Sequence, residues 1–322
     1  MTSIATISSH ESTTWRKQFL RDVQRGLRRP QKEIPCKYFY DDAGSALFDE
    51  ICDLDEYYLT RTELSILRAH APEMAEAIGE DCELIELGSG SSLKTRLLLE
   101  QLRAPRAYLP IEISRETLDR SALELADRFP ALRVLPVHAD FTASILLPHT
   151  GDPKARRVVY FPGSTIGNFS PDAATELLGS VARLVGDHGG LLIGFDLDKD
   201  ASIVWPAYND RRGISAAFNL NVLARINREL DADFDLDAFA HRADYVREKQ
   251  RVEMHLVSRA HQMVRIAGTN YAFLEGETIH TEYSYKYSLE HFGRLTAQAG
   301  FRLSQQWADP ENYFAVQYLT VG

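Results

Sequence analysis

The sequence predicts an α/β fold: a parallel, doubly wound, Rossmann-like sheet with a second, inserted α+β lobe. Three observations carry that prediction. An apolar run, Glu83-Leu84-Ile85-Glu86-Leu87, ends in Gly88-Ser89-Gly90 and passes at once into a helix-like stretch from Leu93 to Leu99. Strand, glycine-rich turn, helix is how such sheets open a nucleotide site at the carboxyl end of their first strand. From residue 83 to about 198 strand-like and helix-like segments then alternate, the rhythm of a parallel sheet covered by helices. Over 199–287 the rhythm breaks into helices followed by alternating, strand-like residues.

Taken in order, the chain begins with a polar stretch, Thr2 to Trp15, that has no secretory core and reads as a short frayed tail. The spacing of Phe19, Val23 and Leu27, with Leu20 beside them, predicts a helix over 14–28, broken by Pro30 and Pro35. A short helix, Ser45–Leu54, follows Lys37-Tyr38-Phe39-Tyr40-Asp41-Asp42. Another is expected from Thr62 to Ala71, capped by Thr60 or Thr62, with Pro72 ending it or starting a second helix. Strands are expected near 83–87, 107–112, 132–138, 157–162 and 190–196, and helices near 93–103, 115–128 and 172–185. Residues 200–230 read as helices, including Ile214 to Leu230. Within 243–287, Val252, Met254 and Leu256 alternate, as do Tyr283, Tyr285 and Tyr287. A helix, Leu289 to Ala299, and two strands, 301–308 and 313–321, close the chain and can complete the first sheet as an antiparallel pair. The division expected is a core of 61–198 and 288–322, with 1–60 and 199–287 forming a second lobe over the nucleotide site.

The chain has 322 residues, 44% of them hydrophobic, and a net charge of −10, a balance that argues against unaided nucleic-acid binding. Cys36, Cys52 and Cys82 lack metal spacing and read as reduced thiols of a cytoplasmic protein. No apolar run reaches membrane-spanning length. The histidines, among them His138, His241, His255, His280 and His291, show no metal-ligand spacing, and Gly88-Ser89-Gly90 is not a nucleophile elbow.

The motifs point to one adenosyl ligand rather than a dinucleotide, because Leu93 stands where the dinucleotide fingerprint needs a third glycine. Glu112, at the end of the next strand, is placed to take ribose hydroxyls. Asp140 and Phe141, after the third strand, suit an adenine amino group and ring; an ordinary helix cap with a core phenylalanine is the competing reading. Asn168, in the loop after Val158–Phe161, can accept from an amine and donate to a carboxylate, which suits an amino-acid substrate. As a strand, 281–287 puts Glu282, Ser284 and Lys286 on one face, toward a cleft or water, and three tyrosines on the other. Glu282 and Ser284 can then hold a ring with two nitrogens. Tyr38, Tyr40, Tyr57, Tyr58 and Tyr208 gain interest only where the second lobe closes over the ligand.

The chain resembles the ergothioneine-pathway histidine Nα-methyltransferases, S-adenosylmethionine-dependent enzymes of the class I fold. The likeness runs from about Arg21 to the C-terminus. It rests on Lys37–Asp41, Glu56-Tyr57-Tyr58, Thr60-Arg61-Thr62-Glu63, Glu86–Gly90, Gly163–Asn168, Ala216–Asn219, Asn227–Leu230, Asp233–Asp237 and Thr281-Glu282. The resemblance implies donor contacts at Gly88, Lys94, Glu112, Asp140 and Phe141. It implies that Asn168 and Tyr208 grip the amino and carboxylate groups, with Tyr40 nearby, and that Tyr57, Glu282, Ser284 and Met254 surround the imidazole. Asn168 and Tyr40 are the residues it places nearest the chemistry. Glu112 stands where the family often has Asp, and Tyr38 where Trp is common. The expected activity is trimethylation of the α-amino group of L-histidine to hercynine, by a monomer with S-adenosylmethionine as donor and no metal, nucleic-acid or membrane partner. The alternatives are methylation of a tryptophan-like amino acid or a histidine derivative, and a non-catalytic sensor of the adenosyl ligand.

Overall fold

Cys82–Leu87, Ala107–Glu112 and Gly190–Asp196 are buried at every position, which explains their nearly unbroken apolar runs: a central parallel strand is covered on both faces. The computed structural model describes residues 9–143, 145–151 and 155–322. Across the main sheet the order is Phe301–Ala308, Phe314–Val321, Gly190–Asp196, Arg156–Phe161, Cys82–Leu87, Ala107–Glu112 and Arg133–Val134. All neighbours from Gly190–Asp196 onward run parallel. Phe314–Val321 lies antiparallel to Gly190–Asp196, and the closing hairpin does complete the sheet. Strand order reverses between Cys82–Leu87 and Arg156–Phe161. The loops after those two strands, at Gly88 and Gly163, therefore flank the crevice where such sheets bind ligands.

A second sheet joins Phe239–Val246, Arg251–Ser258 and Thr278–Tyr285 antiparallel, with Lys32–Glu33 added parallel at its edge. One apolar cluster fastens the N-terminal segment to this sheet: Phe19, Val23 and Phe39 pack with Phe218, Val222, Leu256 and Ile279. The two sheets meet where Thr165–Asn168 packs on Thr278–Tyr285. A Cβ on Gly167 would stand 2.8 Å from the Tyr285 carbonyl, so only glycine allows that approach.

Several boundaries differ from expectation, each for a physical reason. The first helix runs Ser9–Leu27, starting before the expected 14, so Ser9 to Thr13 are helical rather than part of a frayed tail; residues 1–8 lie outside the described residues. The helix expected to break at Pro72 is continuous from Tyr58 to Ile78. Pro72 is exposed, so the carbonyl it leaves unbonded can turn to water, while Leu67, Ala71, Met74 and Ile78 bury on either side of it. Tertiary packing thus overrides a local breaker. Its cap is Tyr57, with no side-chain hydrogen bond, instead of a threonine. The strand expected at 132–138 is two short pairs, Arg133–Val134 and Val137–His138, separated at Leu135-Pro136, since Pro136 has no N–H for the ladder. The helix expected to reach 103 stops at Leu99.

Candidate active site

Two adjoining cavities, of about 1000 and about 50 Å³, lie between the sheets and share Tyr40, Tyr57, Gly163, Asn168 and Glu282 in their walls. Gly88, Lys94, Glu112, Asp140 and Phe141 line the larger; Tyr208, Met254 and Ser284 line the smaller. Every residue expected to touch the donor or the substrate therefore borders this one region, whereas Tyr38, Tyr58 and Lys286 do not line it.

On the core side, the turn after Cys82–Leu87 needs φ of +72° at Gly88 and +46° at Gly90. The Gly88 amide donates to the Ile111 carbonyl. Glu112 is clamped by three backbone amides: Gly90 at 3.1 Å, Ile113 at 2.8 Å and Ser114 at 3.1 Å. The Phe141 ring borders Gly88, 3.7 Å from where a Cβ would stand, and packs edge-on against Phe161. Asp140 accepts from the Thr142 amide at 2.9 Å and from Lys37 at 2.9 Å. Those bonds hold its carboxyl below the ordinary range against the opposing push of burial. The helix cap given as the competing reading does not form, since a turn and, among the described residues, no helix follows Asp140; the bond from Thr142 is a turn contact and coexists with a place in the cavity wall. Beneath the turn, Glu86 accepts from Thr95 at 2.7 Å and from Tyr108; burial raises its carboxyl to about 8.

Lys94 does not point freely at the cavity. Its ammonium lies 2.5 Å from Glu63, a fully buried acid that also accepts from the Gly163 amide at 2.9 Å. Glu63 thereby ties the Gly88 side of the crevice to the Asn168 loop. It sits within Thr60–Glu63, but nothing local in the sequence said which partner it would find.

On the other side, Tyr40, Phe48, Tyr57 and Tyr208 form an edge-to-face wall with centroids 5.6 to 6.4 Å apart. Burial, then the charge of Glu282, pushes the Tyr40 hydroxyl well above its usual range. A bulge between His280 and Glu282 interrupts the pairing of Thr278–Tyr285 with Arg251–Ser258 and sets His280 against Tyr283, 3.9 Å between rings. Past the bulge the two-residue period holds: Glu282 pairs opposite Met254, and Glu282 and Ser284 both face the smaller cavity. Solvent exposure, the commoner fate of such a polar face, is excluded because Glu282 is only 8% exposed. Burial raises its carboxyl to about 7, opposed by the Lys286 ammonium.

Lys286 departs from expectation. It turns neither to water nor to an open cleft, being 1% exposed and 2.8 Å from Asp196. It donates to Tyr208 at 2.8 Å and to Ser284 at 2.9 Å. Periodicity put it on the right face; its partner Asp196 comes from the other sheet and could not be read from local pattern.

The described residues include no group of three or more His, Cys, Asp or Glu able to hold a metal, and no helix among them is long and apolar enough to cross a membrane. Cys82 is buried, while Cys36 and Cys52 are partly exposed and border the larger cavity.

A parallel sheet ending in an antiparallel hairpin, a glycine turn at its switch point and an acid on the next strand make a Rossmann-like nucleotide-binding protein. The chain belongs to the family described as histidine-specific methyltransferase, SAM-dependent, whose model matches residues 19–321. It is 42% identical over 302 residues to histidine N-alpha-methyltransferase of Mycolicibacterium smegmatis, and 40% identical over 302 residues to that of Mycobacterium tuberculosis, covering 92% of both chains in each case. It is 31% identical over 304 residues to ergothioneine biosynthesis protein 1 of Neurospora crassa, covering 88% of this chain and 32% of that one.

The site residues fit an adenosyl donor. The buried Ser89 hydroxyl has no partner among the described residues, the Gly88 backbone leaves room that a side chain would fill, and Glu112 is held by three amides at the strand end.

Proposed function

We propose that this protein methylates the α-amino group of L-histidine three times, giving Nα,Nα,Nα-trimethylhistidine (hercynine) for an ergothioneine-type biosynthesis. The observation that carries this reading is Glu282. It is a buried carboxyl on the wall shared by both cavities, and the influences on it are burial and Lys286, with no hydrogen bond among them. A ligand N–H is what such a group lacks. An imidazole supplies one and offers a second ring nitrogen to Ser284 beside it, whereas an indole has a single N–H and would leave that hydroxyl without a ring partner.

When bound, S-adenosylmethionine supplies an electrophilic methyl carbon on its sulfonium. Gly88, Glu112, Asp140 and Phe141 hold the nucleoside, with Lys94 oriented by Glu63 near the crevice. Asn168 and Tyr208 orient the substrate's amino and carboxylate groups; Tyr57, Met254, Glu282 and Ser284 enclose its ring. The amine attacks as the free base, so catalysis is mainly proximity and alignment in a site shielded from water. Tyr40 stays a neutral phenol, given how far burial raises its hydroxyl. It can accept a hydrogen bond from the substrate ammonium, and the proton leaves to solvent. Residues 1–60 and 199–287 act together as the substrate lobe on the core of 61–198 and 288–322. The protein works as a cytoplasmic monomer, without nucleic acid or membrane.

Mass spectrometry after incubation with donor and L-histidine tests this directly. Successive additions of three methyl groups to histidine are expected, with little turnover of L-tryptophan run alongside. Unmodified histidine in the presence of a bound donor would refute the assignment.

A further inference from the structure

The buried charges behind the substrate cavity are unevenly matched. Asp196 is completely buried and carries two ammonium groups: Lys199 at 2.6 Å on one oxygen and Lys286 at 2.8 Å on the other. Tyr58 also donates to the second oxygen, at 2.7 Å. One cation would neutralise this acid, and desolvating a second is costly unless something else uses it. The other acids nearby feel one cation each: Asp309 acts on Lys199, and the charge of Lys286 acts on Glu282 without an ion pair between them.

What uses Lys286 is visible in its remaining donors. An ammonium has three N–H groups and no acceptor. One goes to Asp196, one to the Tyr208 hydroxyl at 2.8 Å and one to the Ser284 hydroxyl at 2.9 Å. Those hydroxyls are themselves 2.7 Å apart. Each must accept from Lys286, and only one proton can lie between them. Whichever hydroxyl donates to the other, the second has its proton left over, and the cavity is where it can go.

We propose that Lys286 is a positioning residue that makes the Tyr208–Ser284 pair a donor of one hydrogen bond to the bound amino acid. The inference rests on the histidine reading above. Without the cation, the two hydroxyls could equally face a ligand as acceptors, and the pocket would lose its preference for a carboxylate or an unprotonated ring nitrogen. With it, Glu282 accepts at one place and the hydroxyl pair donates at another, so the pocket distinguishes the two ends of a neutral imidazole or pairs its free proton with a carboxylate.

The test is calorimetric titration of L-histidine and, separately, of S-adenosylhomocysteine into wild-type protein and the variants Lys286→Met, Lys286→Gln and Lys199→Met. Lys286→Met should weaken histidine about 30-fold, the scale of hydrogen bonds made by a charged donor, with the nucleoside within twofold. Lys286→Gln, which keeps donors but loses charge, should fall between. Lys199→Met strips a cation from the same Asp196 without touching either hydroxyl, and should leave histidine within threefold. Equal losses in Lys199→Met and Lys286→Met would overturn the proposal, because neutralising Asp196 would then be the whole effect. So would unchanged histidine affinity in Lys286→Met, or loss of both ligands together in both Lys286 variants, which would assign the residue to folding. Wild-type protein that binds the nucleoside but not histidine would instead strike the parent reading.

Discussion

Glu112 and Glu282 are both buried acids on this site, each 8% exposed, yet they are held in opposite ways. Glu112 receives three backbone amides from its own strand end and the neighbouring glycine turn. Glu282 lies past a bulge, facing a cavity, and burial raises its carboxyl to about 7. The donor side is thus organised before any ligand arrives, by backbone that the fold supplies regardless. The substrate side keeps an acid on the cavity wall with no hydrogen-bond partner among the described residues, open to a ligand N–H. Rigidity on one side and unmet hydrogen bonding on the other divide affinity from specificity, since an analogue that lacks the matching polar group leaves the acid stranded.

The comparison breaks most visibly at the glycine turn. Gly88→Val forces a β-branched residue to positive φ and puts its methyls toward Phe141, so nucleoside affinity should fall by more than ~1000-fold from strain and steric block together. Titration with S-adenosylhomocysteine reads this; unchanged affinity would remove the turn from the site. Next is Glu282→Ala, expected to weaken histidine about 100-fold while nucleoside affinity stays within twofold, the loss of one charged hydrogen bond. Equal losses for both ligands would dissolve the division drawn above.

Stability against pH sharpens the same contrast. The folded protein holds the Glu282 proton up to about 7, whereas the unfolded chain releases it near 4.5. Between those values the native state binds more protons, so this group makes stability fall as pH rises, and the cost is complete above pH 7. Glu282→Gln removes it. Ligand-free variant and wild type should unfold alike near pH 4, and the variant should be more stable at pH 8, by up to about 3 kcal/mol. Denaturant melts at the two pH values measure the difference; a variant less stable at pH 8 would mean that Glu282 is already satisfied within the protein. The smallest effect is expected from Asp140→Asn, about tenfold in nucleoside affinity, because its carboxylate already has Lys37 and Thr142 as partners. Full retention of affinity would reduce Asp140 to its turn and ion-pair role.

How much of this was legible beforehand follows the range of the interactions. The strand runs at 83–87, 107–112 and 190–196 and the turn at Gly88 were readable because apolar runs and glycine chemistry are local signals. The face shared by Glu282, Ser284 and Lys286 was readable because a strand alternates with a period of two, even though a bulge lies just upstream. Family likeness, carried by segments such as Glu56-Tyr57-Tyr58 and Gly163–Asn168, added the expected partners of each group on the ligand side but not their partners within the protein. Pro72 and the stretch Ser9 to Thr13 show the converse. Local rules placed a break and a tail where packing on the core and continuation of the helix prevailed.

By itself, then, the chain determined which stretches become strands and helices, where the glycine turn falls and which polar residues share a face, since each depends on neighbours within a few positions. Only the tertiary structure decided that Lys94 would meet Glu63, that Lys37 would reach Asp140, and that Lys286 would be buried against Asp196 behind Tyr208 and Ser284. Those pairings join residues 31 to 103 positions apart, or 90 for Lys286 and Asp196, on different elements. Charge pairing at such separations is selected by which surfaces pack together, and no pattern along the chain encodes it.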